Sequence, residues 1–144
     1  MLFSRFLTRA DKARIAQAIG RAEALTTGEI HVHVISLPPP RDILEQARRL
    51  FPKLGLHKTT HRNGVLILVS PSDKRFAIWG DEGIHAKAGQ PLWEKAQALL
   101  SKGLAQDPAT ALVAAVEAVG EALAAHFPAQ GSRLNELPDD VSEG

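Results

Sequence analysis

The stretch NGVLILVSPSDKRFAIWGDEG, Asn63 to Gly83, decides the fold. It opens on a turn dipeptide, Asn63-Gly64, and continues through Val65, Leu66, Ile67, Leu68 and Val69 with no charge and no alternation. A strand of that kind is buried on both faces, so layers must cover it from both sides. The polar loop Pro71-Ser72-Asp73-Lys74 follows, and then a second apolar segment, Arg75 to Trp79. Five residues, Ser70 to Lys74, are enough to close a hairpin, which makes these two strands antiparallel. The second strand ends in Gly80-Asp81-Glu82-Gly83, two adjacent carboxylates between glycines.

Working outward, Thr8 and Asp11 have the spacing of an N-cap and an acidic N3 residue. Ile15, Ala18, Ile19, Ala22 and Leu25 then recur at helical spacing until Thr27-Gly28. Glu29 to Leu37 alternates Ile30, Val32 and Val34 against His31 and His33, a strand with one wetter face near its start. Pro38-Pro39-Pro40 ends it. Asp42 and Glu45 predict a capping box for a helix carrying Ile43, Ala47, Leu50 and Phe51, closed by Pro52. Pro91 is expected to start a helix with Leu92, Ala96, Leu99, Leu100 and Leu104. Asp107, with Pro108 in the first turn, caps another bearing Leu112, Val116, Val119, Leu123 and Phe127. The order is helix, strand, helix, strand, strand, helix, helix. The first two strands, joined through a helix, are parallel with a right-handed crossover. The expectation is a three-layer α/β/α sandwich with a small mixed sheet of Rossmann-like appearance. One domain covers residues 1–128, and residues 129–144 read as a polar C-terminal tail.

Composition narrows the function. A chain of 144 residues is the size of one domain, and a net charge of +1 gives no footprint for nucleic acid. The absence of cysteine removes disulfides, thiolate metal sites and Cys nucleophiles. No apolar run reaches the roughly 18 residues of a bilayer span, and the start is too polar after Leu7 for a signal-peptide core. The expected location is cytoplasmic, with peripheral membrane contact through Leu2, Phe3, Phe6 and Leu7 as the alternative.

Strand direction sorts the polar residues into two sheet edges. One collects Gly28, Glu29, His61, Asn63, Asp81, Glu82 and His85. The other collects Ser36, Asp42, Ser70, Ser72, Asp73 and Arg75. Open α/β sheets favour the second edge for ligands. The first has three carboxylates, glycine loops and imidazoles, the oxygen-rich surroundings a hard cation needs. A solvated turn is the competing reading of Asp81-Glu82. His31 and His33 share a strand face and, with His57, His61 or His85, would make a zinc-like set. Ordinary histidines on a wet strand face are the alternative. A metal-assisted phosphoryl hydrolase would use Asp81, Glu82 and Glu29 for the cation, Asp73 or His85 as base, and Arg62 or Arg75 for phosphate. Ser70 and Ser72 read as turn serines. Trp79 and Trp93 read either as core-edge packing or as a binding patch.

Three segments carry a family resemblance: TGEI at Thr27 to Ile30, NGVLILV at Asn63 to Val69, and IWGDEGIH at Ile78 to His85. Together they resemble the TPM-domain family over roughly residues 8 to 141. The stretch Ala124 to Pro128 and the tail Asn135 to Val141 resemble its short stand-alone bacterial branch. The family includes bacterial envelope proteins and a plant thylakoid-lumen protein with attributed acid phosphatase activity. The resemblance implies an accessory or interaction domain with protein partners and a divalent-cation site, usually calcium, rather than an efficient enzyme. Low-activity acid phosphatase and histidine-based metal binding are the alternatives. Carried over by motif, Glu29, Asn63, Asp81 and Glu82 are the expected metal residues, with Asp73 an outlier on the opposite edge. Many longer relatives have a further acidic residue after the Gly loop, where this chain has His85, Ala86 and Lys87. They also carry a signal peptide and a transmembrane anchor, neither of which is expected from this sequence.

Overall fold

The structure is a computed structural model that describes residues 6–36, 42–130 and 141–144. Helix α1 (Arg9–Glu23) leads to strand β1 (Glu29–Val34), helix α2 (Ile43–Lys53) and a 3₁₀ turn (Leu56–Lys58). Strands β2 (Gly64–Ser70) and β3 (Arg75–Gly80), helices α3 (Glu82–Gly103) and α4 (Pro108–His126), and strand β4 (Val141–Glu143) follow. The sheet order is β3-β2-β1-β4. β1 runs parallel to β2 and β4, and β3 runs antiparallel to β2. This is the small α/β fold with a mixed sheet that the sequence predicts.

The alternation of side chains along β2 divides the core. Val65, Ile67 and Val69 join a cluster with Ile15 and Ile19 of α1, Leu92, Trp93 and Leu100 of α3, and Leu112, Val116 and Leu123 of α4. Leu66 and Leu68 point the other way, to Ala47 and Phe51 of α2 and to Leu56. All five β2 side chains, Val65 to Val69, are fully buried. At roughly 1.5–3 kcal/mol per buried aliphatic side chain, this one strand is among the largest apolar contributions in the molecule. α4 is long and apolar enough to cross a membrane by composition, but half of it is buried, and its apolar face packs in the core beside α1 and α3. A buried core helix meets the same criterion.

Several local expectations hold. Thr8 and Asp11 form the reciprocal capping box of α1. Asp107 caps α4 through the Thr110 N–H. Others change. Asp42 caps α2 through the Leu44 N–H, but Glu45 turns to Arg48 and Arg49 instead of closing the box. The guanidiniums offer charge-assisted bonds that a backbone N–H does not match, and they draw the Glu45 carboxyl down to about 2. Leu25 lies beyond the end of α1 and is 64% exposed. The expected wet face of β1 is buried, with His31 and His33 each only 8% exposed. The expected tail ends in β4, which pairs with β1 from Val32 to Val34. Leu2, Phe3, Pro38 to Pro40 and Asn135 to Asp140 lie outside the described residues.

The largest change concerns α3. A first helical segment that the sequence does not announce begins at Glu82, with Asp81 as N-cap, and the expected helix from Pro91 follows it across a kink. Gly89 breaks it at φ +64°, a conformation that favours glycine, and Pro91 resumes it. The acidic turn of the sequence is therefore a helix N-terminus. Gly80, just before it, faces the Trp93 ring, where an added Cβ would lie 2.2 Å from the indole edge. Gly80→Ala is expected to lower stability by about 1–3 kcal/mol through overpacking, measured by urea denaturation. An unchanged midpoint would show that Trp93 gives way freely.

Candidate functional site

The register brings the first sheet edge together as the sequence topology requires. Glu29 pairs with Gly64, and Val65 pairs with Gly80. The Glu29 N–H donates to the Asn63 carbonyl, and the Asp81 N–H donates to the Gly64 carbonyl. Glu29, Asn63 and Asp81 thus sit at the ends of three neighbouring strands, with Glu82 one residue on. Asp73 is at the other edge, where Ser70 pairs with Arg75. Five residue steps separate the two edges, roughly 17 Å at about 3.4 Å per residue.

The loops at this edge are locked to one another. Thr26 Oγ1 lies 2.5 Å from the Phe127 carbonyl and 3.1 Å from the Leu123 carbonyl, the two acceptors open to its single proton, and it accepts from the Gly28 N–H. Asn63 donates its side-chain amide to Thr27 Oγ1 at 3.0 Å, and its backbone N–H to Thr59 Oγ1. Asn63 Oδ1 is buried without a hydrogen-bond partner among the described residues. Glu23 at the end of α1 is buried and accepts from the Ile30 N–H at 2.7 Å. The motif TGE before β1 and NG before β2 is therefore a junction of two strand-entry loops clamped onto the end of α4.

Arg62 governs the charge here. It adopts φ +52°, in the left-handed region that non-glycine residues seldom occupy. Its carbonyl accepts the Gly83 and Ile84 N–H groups, at 2.8 and 3.3 Å, so the turn is tied to the first turn of α3. A Cβ at Gly83 would meet the His61 carbonyl at 2.1 Å, which requires glycine there. The Arg62 guanidinium forks onto Asp81, Nε to Oδ2 at 2.7 Å and Nη2 to Oδ1 at 2.9 Å. Its Nη1 lies 3.3 Å from Glu82 Oε1. The carboxylate hydrogen bonds raise the guanidinium further above its already high range. Asp81 also accepts the Glu82 N–H at 2.8 Å, the capping bond of α3. A buried carboxylate with three donors at a helix N-terminus is fully compensated.

The pair opens into a cleft of about 680 Å³ along the free edge of β3. Leu44, Phe51 and His57 line one side, Trp93 and Gln97 the other, with Trp79, Arg62, Asp81, Glu82 and His85 between them. Trp79 and Trp93 are thus core-edge residues that also wall the cleft. The Trp93 indole N–H donates to His85 Nδ1 at 2.9 Å, and the two rings stack. An indole only donates, so neutral His85 holds its proton on Nε2. Its lone pair is occupied, which removes it as a general base in this arrangement. Asp73 is engaged by Arg75 at 2.7 Å, and that bond holds its carboxyl below the usual range. Of the residues in the hydrolase reading, Arg62, Asp81, Glu82 and His85 meet at the cleft, whereas Asp73 and Arg75 stand at the other edge.

A calcium ion takes six to eight oxygens. The edge offers Asp81, Glu82, Asn63 Oδ1 and Glu29, but both Asp81 oxygens are held by Arg62. Among the described residues no three Asp, Glu, His or Cys side chains come together as a ligand set. Both Asp81 oxygens would be open to a cation only with Arg62 withdrawn. The histidines are dispersed as well. His57 and His85 line the cleft, His61 lies 6.1 Å from the Phe127 ring, and His31 and His33 meet Ser142 of β4. Arg62 was legible only as a phosphate-binding candidate, because its target depends on a left-handed turn that no residue type announces. Ser142 had no signal, since VSE is too short to read as a strand.

Asp81→Ala removes both the cap and the ion pair, whereas Asp81→Asn keeps a capping oxygen. The expected order of stability is wild type, then Asn, then Ala. The Asn-to-Ala step should be about 0.5–2 kcal/mol, the range for loss of an N-cap. Equal denaturation midpoints for the two variants would show that the capping bond contributes nothing.

Comparison with known proteins agrees with this fold. The family model of the TPM domain matches residues 2–122. The chain is similar to the BA42 protein of the psychrophilic bacterium Bizionia argentinensis, known by NMR. The identity is 35%, the TM-score 0.88, and 96% of each chain is covered. The N-terminal domain of the cg2496 protein from Corynebacterium glutamicum shares the fold, at 18% identity and a TM-score of 0.67. That match covers 90% of this chain and 81% of the other. No curated protein matches.

Proposed function

Because the chain belongs to the TPM-domain family, we propose that it is a binding module rather than an efficient hydrolase. Its ligand site is the cleft beside β3, and a divalent cation such as calcium competes there with Arg62 for Asp81. The observation that carries this reading is the two-point fork of Arg62 on Asp81 at the cleft. A guanidinium and a divalent cation both seek a carboxylate, and they exclude one another at the same two oxygens. With Arg62 turned outward, Asp81 and Glu82 would supply carboxylate oxygen and Asn63 its amide oxygen. A bound cation would supply positive charge at this edge for an anionic partner group.

The cleft itself favours recognition. Arg62 is partly exposed and His85 presents an Nε2–H, so its polar end donates hydrogen bonds. Trp79 and Trp93 give it aromatic walls. A partner group with an anionic or acceptor head and an apolar body matches both halves. A protein segment is the expected source. Turnover is disfavoured by the engaged lone pair of His85 and by the distance of Asp73 from Asp81.

Calorimetry with calcium tests the exchange. Arg62→Ala is expected to bind calcium at least tenfold more tightly than wild type, and Asp81→Ala in that background should abolish the heat. No calcium heat in Arg62→Ala would overturn the cation reading. Magnesium- or calcium-dependent hydrolysis of an aryl phosphate that disappears in Asp81→Ala would overturn the non-catalytic one.

A further inference from the structure

Two histidines stand two residues apart on β1, so both imidazoles leave the same face of the sheet. That face is the one Leu66 and Leu68 share on β2, opposite to Val32 and Val34. The register pairs His33 with Ser142 of β4. Both rings then converge on one atom. His31 Nε2 lies 2.7 Å from Ser142 Oγ, and His33 Nδ1 lies 2.5 Å from it. A hydroxyl has a single proton, so Ser142 donates to one ring and accepts an N–H from the other.

Two imidazole nitrogens aimed at a common point from one rigid strand are the main geometric requirement for chelation. Zinc–nitrogen bonds are about 2.0–2.1 Å, so an ion in place of the hydroxyl would need each ring to close by roughly 0.5 Å. We propose that His31 and His33 form a two-imidazole site for a zinc-type divalent cation, which takes the position of the Ser142 hydroxyl. Imidazole binds as the neutral base, and burial holds His33 below its ordinary range, against smaller opposing effects of Gly144 and Glu143. The ring that donates to Ser142 must move that proton, through solvent, to its other ring nitrogen when the ion binds, so both imidazoles stay neutral. The remaining tetrahedral positions stay open to water or to a small exogenous ligand.

The site is independent of the Asp81 edge. Its donors are nitrogen, which suits zinc, nickel and copper and not calcium. Glu143 points to the other side of the sheet, where it pairs with Lys12, and is not part of it. The ion would act at the junction of β1 with the edge strand β4, in competition with the Ser142 hydrogen bonds.

Zinc chloride titrated into the full chain, followed by calorimetry and by ¹⁵N imidazole spectra, tests the assignment. One zinc per chain is expected, with the His31 Nε2 and His33 Nδ1 resonances shifting while the other four histidines stay in place. His31→Ala and His33→Ala should each weaken binding at least tenfold. Ser142→Ala should leave it equal or tighter, and Asp81→Ala should leave it unchanged. The wild-type spectra remain decisive even if an alanine variant unfolds. The proposal is overturned by no zinc binding in wild type, by shifts falling on His57, His61, His85 or His126 instead, or by loss of binding in Ser142→Ala.

Discussion

Everything in this molecule depends on one strand having no polar face. Val65 to Val69 of β2 are fully buried, so water can be allowed on neither side. Helices α1, α3 and α4 cover one face, and α2 with the 3₁₀ turn covers the other. The backbone of β2 must also be paired on both edges, which β1 and β3 supply. A strand so enclosed admits one register, because a slip by one residue would exchange Val65, Ile67 and Val69 for Leu66 and Leu68 across the two layers. The fixed register is what carries Arg62 and Asn63 to Glu29 on one side and to Asp81 on the other.

The parts of the fold legible in the sequence were those set by local rules. The apolar run predicted a doubly buried strand, the five-residue connection predicted the antiparallel turn, and Thr8 with Asp11 predicted the capping box. Chain direction alone placed Glu29, Asn63 and Asp81 at one edge and Asp73 at the other. Legibility failed where a side chain's role depends on a partner from elsewhere. Asp81 between two glycines reads as a turn, and becomes an N-cap only because Arg62, nineteen positions earlier, adopts a left-handed turn whose carbonyl takes the Gly83 and Ile84 N–H groups. His31 and His33 read as a wet face until Ser142 arrives on a three-residue strand. In both cases the missing information is tertiary contact, which period and propensity do not encode.

The Arg62–Asp81 pair shows how backbone geometry can set the electrostatics of a site. An isolated surface ion pair contributes little, because two long side chains must be immobilised against solvent screening. Arg62 is partly exposed, but Asp81 is nearly buried and is held by the capping bond to Glu82 before the guanidinium arrives. The strained turn at Arg62 places the guanidinium on the same helix start that its own carbonyl braces. Strain of this kind persists where the surrounding contacts over-determine it, and it concentrates at sites of function. The contacts are all present here: Gly83 admits the close carbonyls, and Gly80 admits Trp93 beside them.

The two sides of β1 separate two kinds of ligand chemistry. Where β1 begins, its neighbours bring oxygen: Asp81, Glu82 and the amide of Asn63, balanced by one guanidinium. Further along, on the face away from α1, they bring nitrogen: two imidazoles meeting at one hydroxyl. Oxygen donors of the first kind suit hard cations, and nitrogen donors of the second suit borderline metals. Because β1 is rigid and central, neither set can adjust by moving its own strand. Each would respond instead through its partner, the long Arg62 side chain at one and the three-residue edge strand β4 at the other. Ion binding at either place would therefore act on what lies next to the sheet while leaving the sheet itself intact.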